Sequence, residues 1–301
     1  MIRLQSTSLR VEVQPEGGRV TSVVDLRSGR EWIDVWGTSP AVGDMDYDQS
    51  RAGGWDECFP SIAASAAGLA PWGALRDHGE IWGRPPTHYT SGGLSCDMTW
   101  MVEPVRFRRS LSLADASIIA DYRVENTGAQ SVPWLWSQHA LLKTQPGDVV
   151  CLKGHGPFLP AWTSDPEILA SFPRALLKAG GASVPAAFDA LRPSGAGWAA
   201  KLFAEARGEV IARLESNRGA IEFRWLNSSP AQYVGLWINN RGWPADGDLT
   251  HVAFEPTTCP CDGLEDAARQ GLAPVLSPGQ SLGWTIEIRL EADMPKGGRD
   301  V

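Results

Sequence analysis

Apolar side chains recur at every second position through most of the chain, and the three-to-four spacing of an amphipathic helix is scarce. Val105, Phe107, Arg109, Leu111 and Leu113 fall on one face. Ile118, Ala120, Tyr122 and Val124 repeat the pattern after a turn at Asp115-Ala116, so the two segments read as a hairpin. Further strands are expected over Leu9 to Val13, Arg19 to Asp25, Leu94 to Val102, Pro133 to Leu142, Val210 to Leu214, Ala220 to Leu226, Gln232 to Ile238, His251 to Phe254 and Ser281 to Leu290. Gly and Pro concentrate between them, where turns need a positive or a fixed φ. Short helices are expected only over Pro166 to Ala179, where Pro173 interrupts, and Leu264 to Gln270. A parallel sheet needs a crossover, usually helical, for each connection, so this pattern predicts an all-β fold, a large antiparallel sandwich. The stretch from Leu159 to Ser194, rich in Ala, Pro and Gly, reads as a long insertion loop within one domain spanning 1–301, because the strand pattern resumes unchanged beyond it.

Composition narrows the partners. A net charge of -8 repels phosphate backbones and anionic membrane faces, so neither nucleic acid nor membrane is an expected partner. No run approaches the roughly 20 apolar residues of a membrane span, and the first residues lack a signal-peptide core, which predicts a soluble, cytoplasmic protein. The five cysteines, at 58, 96, 151, 259 and 261, have no disulfide-framework or zinc spacing, and Cys259-Pro260-Cys261 supplies only half of a metal site. No metal site is therefore expected, and the absence of phosphate-cradling and dinucleotide-binding loops from the sequence disfavours nucleotide-dependent chemistry. Trp is the outlier: 14 residues against 4 Tyr and 8 Phe, suited to thick cores and to clefts that stack on sugar rings.

Three segments place titratable side chains among aromatic and turn residues. They are Gly53 to Ile62 with the nearby Arg76-Asp77-His78-Gly79-Glu80-Ile81-Trp82, then Trp134 to Leu142, then His251 to Thr258. In the second, Ser137-Gln138-His139 interrupts an apolar strand; in the third, Glu255 ends a strand just before Pro256. A strand end suits an acid or base, since the sheet fixes the backbone while the side chain looks into a cleft.

In the order and separation of Gly17-Gly18-Arg19-Val20, Phe59-Pro60, His78-Gly79, His139, Trp243-Pro244 and Glu255-Pro256, the chain resembles the aldose 1-epimerase, or galactose mutarotase-like, family. That resemblance implies a β-supersandwich and cofactor-free interconversion of the anomers of a monosaccharide, by an enzyme that is a monomer or homodimer. It implies Glu255 as base and His139 as acid, placed on opposite sides of the ring with His139 protonated near neutral pH, and His78 as a ligand near the ring oxygen. Trp55, Trp82 and Trp237 are the candidates for stacking on the sugar. The family's early-loop arginine has no match inside Trp55 to Pro60, where Asp56 and Glu57 are the candidate hydroxyl acceptors; Asp189 and Lys201 lie in the stretch of its mid-chain aspartate. A phosphorylated or sulfonated hexose is the alternative substrate, with Arg84, Lys201 and Arg241 as candidate cations, and a noncatalytic carbohydrate-binding module is the alternative class.

Overall fold

A computed structural model describes residues 1–36, 47, 53–66, 68–171, 182–185, 197–227, 230–244 and 248–292. Its strands form two antiparallel layers. One runs, in order of pairing, Ile2–Gln5, Leu9–Val13, Val20–Asp25, Trp55–Cys58, Ser137–Lys143, Thr250–Thr257, Tyr233–Asn240, the first half of Trp198–Ser216, and Leu159–Thr163. The other runs His88–Gly92, Ser95–Val102, Val105–Ala114, Ser117–Asn126, Ser281–Glu291, Gly219–Leu226, the second half of Trp198–Ser216, Val149–His155 and Ala182–Pro185. The 19-residue strand Trp198–Ser216 thus belongs to both layers, changing partners around Gly208. Among the described residues no helix is long and apolar enough to cross a membrane.

The alternation seen in the sequence is the alternation of burial. Val105–Ala114 and Ser117–Asn126 bury every second residue, and Phe107, Leu111, Ile118, Ala120 and Val124 are fully enclosed between the layers. Indoles thicken this core: Trp134 and Trp136 are buried and meet Trp284, with Tyr122 stacked on Trp284 at 5.3 Å. Trp55–Cys58 escaped the sequence pattern because all four of its residues are buried, leaving no polar face to mark the period. The expected strand Pro133 to Leu142 is interrupted, with Val132–Pro133 pairing elsewhere and Ser137–Lys143 entering the layer. Within the expected insertion loop, Leu159–Thr163 instead pairs as an exposed edge strand, Pro166–Ser171 is helical and Ala182–Pro185 pairs with Val149–His155. The end of the first expected helix lies outside the described residues; the second forms over Leu264–Arg269.

Candidate active site

Cross-strand register assembles the site. Residues paired directly across a sheet share a face, so the pairings Phe203 with Gly235, Gly235 with Glu255, and His139 with Asp56 define one row. Ser137 pairs with Thr257 and Ala140 with Phe254, which sets His139 opposite Glu255 in that row. The neighbouring row carries Trp162, Lys201, Trp237, Ala253 and Leu141, and the next carries Asn239 and His251. All three rows lie on the face turned away from the sandwich core. There they wall a cavity of about 340 Å³, within the roughly 300–1,000 Å³ usual for small-molecule sites.

The Glu255 carboxylate, 1% exposed, is held from two sides. His139 Nδ1 lies 3.3 Å from Oε1, while Oε2 accepts from the Lys201 ammonium and, at 3.3 Å, from the Ser137 hydroxyl. Lys201 reaches across the intervening strand at Gly235. A Cβ there would lie 3.0 Å from Glu255 Cβ and 3.2 Å from Oε2, so glycine leaves the room that the carboxylate fills. Burial alone would raise the Glu255 pKa, but the charge of Lys201, then the charge and hydrogen bond of His139, hold it down at about 2. Burial in turn lowers the His139 pKa below the ordinary imidazole value; Glu255 opposes the fall, and His78 and Lys201 add to it. Burial pulls the Lys201 pKa down, yet Asp262 and Glu255 outweigh it and keep the amine charged.

The resting site therefore holds an ionised Glu255, a charged Lys201 and a neutral His139. This differs from the protonated His139 expected from sequence, because desolvation of the imidazole outweighs the pull of one carboxylate that Lys201 already neutralises. Its ring proton sits on Nδ1 facing Glu255. Among the described residues Nε2 has no hydrogen-bond partner, and His139 lines the cavity.

Loops complete the walls. His78 stands at φ +59, a left-handed conformation costing on the order of 1 kcal/mol, fixed by its N–H donating to Ile62 O at 2.6 Å. Gly79 is required beside it, since a Cβ would sit 2.3 Å from the Phe59 carbonyl oxygen. The His78 ring stacks on Tyr47 at 3.5 Å between centroids, lies 5.2 Å from the His139 ring, and has Asp77 Oδ2 3.1 Å from Nδ1. On the far wall Trp162 stacks on Trp237 at 5.7 Å, and Trp243 meets Trp237 edge-on at 6.2 Å. The Trp237 indole donates to His251 Nε2 at 3.1 Å, which leaves His251 Nδ1 as the donor toward Asp34 Oδ2 at 3.1 Å and fixes its tautomer.

Of the residues singled out from sequence, His139, Glu255, His78 and Trp237 come together here. Trp55 and Glu57 point the other way. Being one residue removed from Asp56 on a strand, they face the core, where Glu57 accepts from Trp55, Trp136, Tyr122 and Arg109. Asp56 shares a face with His139, but is 1% exposed and clamped by Arg19 through Nε at 2.9 Å and Nη2 at 2.6 Å. Trp82 is fully buried; its indole donates to Asp77 O at 2.7 Å and so props the His78 turn. Arg84 pairs with Glu80 at 2.8 Å away from the cavity, and neither it nor Arg241 lines the wall; Asp189 lies outside the described residues. Sequence reading did not include Tyr47, Asp77, Trp162, Trp243, His251 or Asp262 among the sugar-site candidates. His251 was legible, four residues before Glu255 on the same strand face. Among the described residues no group of His, Cys, Asp or Glu is arranged to hold a metal ion.

By sequence, no protein-family model and no curated protein matches the chain. By structure it is similar to a galactose mutarotase related enzyme from Lactobacillus acidophilus, at 14% identity and a TM-score of 0.66 over 97% of this chain and 99% of that one. It is also similar to galactose mutarotase-like proteins from Lactobacillus casei (13% identity, TM-score 0.69, 97% and 100% of the two chains) and Clostridium acetobutylicum (13%, 0.62, 97% and 95%). Identity this low speaks for architecture, and the antiparallel layers found here agree: the chain has the galactose mutarotase-like fold.

Proposed function

We propose that the protein is a cofactor-free aldose 1-epimerase, opening and reclosing the ring of a monosaccharide at C1. The observation that carries this reading is the His139–Glu255 contact of 3.3 Å at the floor of an aromatic-walled cavity of about 340 Å³. Ring opening takes a proton from the anomeric hydroxyl and supplies one to the ring oxygen, after which the aldehyde turns about C1–C2 and recloses from its other face. These two oxygens are bonded to the same carbon, so groups that stand side by side can serve both. This reading departs from the arrangement expected from sequence, with the two residues on opposite sides of the ring, and uses neighbours on adjacent strands.

The resting charges favour roles other than those expected from sequence, with His139 as the base. Neutral His139 is a stronger base than a carboxylate held at about 2, and its Nε2 has no hydrogen-bond partner among the described residues. In this mechanism Nε2 accepts the proton of the anomeric hydroxyl, and Glu255 stabilises the imidazolium through Nδ1, as a carboxylate orients a histidine base. Trp237, Trp162 and Trp243 supply flat faces for the pyranose. Phosphorylated hexoses fit less well: among the described residues Asp77 and Asp262 line the cavity with Lys201, whose ammonium is already paired with the buried Glu255.

Polarimetry on freshly dissolved α-anomers of several hexoses tests the reading. Wild type is expected to speed equilibration, and Glu255→Gln and His139→Asn to lose about 10²- to 10⁴-fold of that acceleration. Both variants equilibrating sugar at the wild-type rate would overturn the roles. A wild type that binds sugar without accelerating any of them would point to a carbohydrate-binding module.

A further inference from the structure

Lys201 has hydrogen-bonding capacity that its protein partners do not use. Its side chain is 8% exposed and lines the cavity, and a charged amine carries three N–H donors. Among the described residues it makes one hydrogen bond, to Glu255 Oε2. Asp262 Oδ1, at 3.7 Å, is close enough to balance charge but too far to accept a hydrogen bond. The remaining donors are buried, and the open space beside them is the space where the sugar ring is placed by the epimerase reading.

We propose that Lys201 is a substrate-binding and catalytic group of this site, its ammonium donating to the ring oxygen of an uncharged pyranose. This deepens the epimerase reading and rests on it. The Glu255 carboxylate is the ruler: His139 stands on Oε1 and Lys201 on Oε2, so one base and one donor flank a single carboxylate. A pyranose over that carboxylate presents its anomeric hydroxyl to the first and its ring oxygen to the second.

The proton count closes without an outside reagent. His139 Nε2 takes the hydroxyl proton, the C1–O bond of that hydroxyl becomes a carbonyl, and the bond from C1 to the ring oxygen breaks with its electron pair on the ring oxygen. That oxygen takes a proton from Lys201, leaving aldehyde, imidazolium and neutral amine. An alkoxide is a far stronger base than an amine, so the transfer runs downhill as the bond opens. After rotation about C1–C2 the steps reverse and both groups are restored. The sequence suggested Lys201 as a counter-ion for phosphate, but Glu255 and Asp262 already balance its charge. What it has left to offer is donors, which suit neutral oxygens.

Removing the amine alone would strand the Glu255 charge, so the test uses a charge-balanced background. Glu255→Gln and the double variant Lys201→Met/Glu255→Gln are titrated by calorimetry with anhydrohexitols of the gluco and galacto series, which keep the ring oxygen and cannot open. The double variant is expected to bind about 10- to 100-fold more weakly than Glu255→Gln, the loss typical of a hydrogen bond from a charged donor. Equal affinities would overturn the Lys201 contact, since a residue that only neutralises Glu255 has nothing to do once that charge is gone. Wild type that binds these sugars but never speeds mutarotation would sink the epimerase reading, while the affinity difference still decides the Lys201 contact. Failure of wild type to bind any of them would overturn both.

Discussion

His139 Nδ1 lies 3.3 Å from Glu255 Oε1, and the pair sits opposite one another on neighbouring strands at the bottom of the cavity. The fold brings into contact two residues 116 positions apart in the chain, the pair to which the proposed mechanism gives proton transfer. Activity in this arrangement requires neutral His139. Because its pKa is held below the ordinary value of 6.5, mainly by burial, kcat/KM is expected to stay flat through neutrality and fall only at lower pH. A pH–rate profile checks it; an acid limb centred at or above the ordinary value would show that the protonated form is the working one.

Glu255 also ties stability to pH. Its carboxyl titrates at about 2 in the fold against an ordinary 4.5, so the unfolded chain takes up the proton first as pH falls. The stabilisation is complete above the unfolded value and is lost between the two. It amounts to about 3 kcal/mol, at about 1.4 kcal/mol per pKa unit. Urea unfolding at successive pH values should show wild type losing about that much more than Glu255→Gln across this window. Parallel curves for the two proteins would mean that Lys201 and His139 do not hold the carboxylate as described.

Gly235 is where the sheet makes room for the site. The added Cβ of Gly235→Ala would lie 3.0 Å from Glu255 Cβ and 3.3 Å from Phe203 Cε1, forcing the carboxylate to shift by a few tenths of an ångström. Crowding of this kind typically costs about 1–3 kcal/mol. The activity should suffer more, by about 10- to 100-fold, because the carboxylate's contacts with His139 and Lys201 move with it. Urea midpoints and mutarotation rates measured side by side would separate the effects; a variant with normal activity would rule out the tight fit.

Glu57 offers the opposite case, a buried acid that faces the core and not the cavity. Glu57→Gln leaves Arg109 without its charged partner between the layers, and breaking a buried pair in this way costs about 3–5 kcal/mol. The folded fraction should nevertheless bind sugar with wild-type affinity. Weaker binding by well-folded Glu57→Gln would return this residue to the site.

The difference between Glu57 and Asp56 shows what a sequence can and cannot specify. Alternation marked most strands, because side chains two apart share a face whatever the rest of the molecule does, and the scarcity of helices made the arrangement antiparallel. It also exposed the chemistry at His139 and Glu255, where polar residues interrupt apolar strands. Alternation failed at Trp55–Cys58, which is buried on both faces, so the acid facing the core and the acid facing the cavity side read alike. Lys201 was visible only as a cation in the right stretch. Its partnership with Glu255 depends on the registers pairing Phe203 with Gly235 and Gly235 with Glu255, and on the missing side chain between them. Periodicity is a local property of one strand, and the sequence carries it wherever one face of the strand is polar. Register, and the burial that leaves His139 neutral beside an ionised Glu255, arise only when distant strands meet, and these the tertiary structure decided.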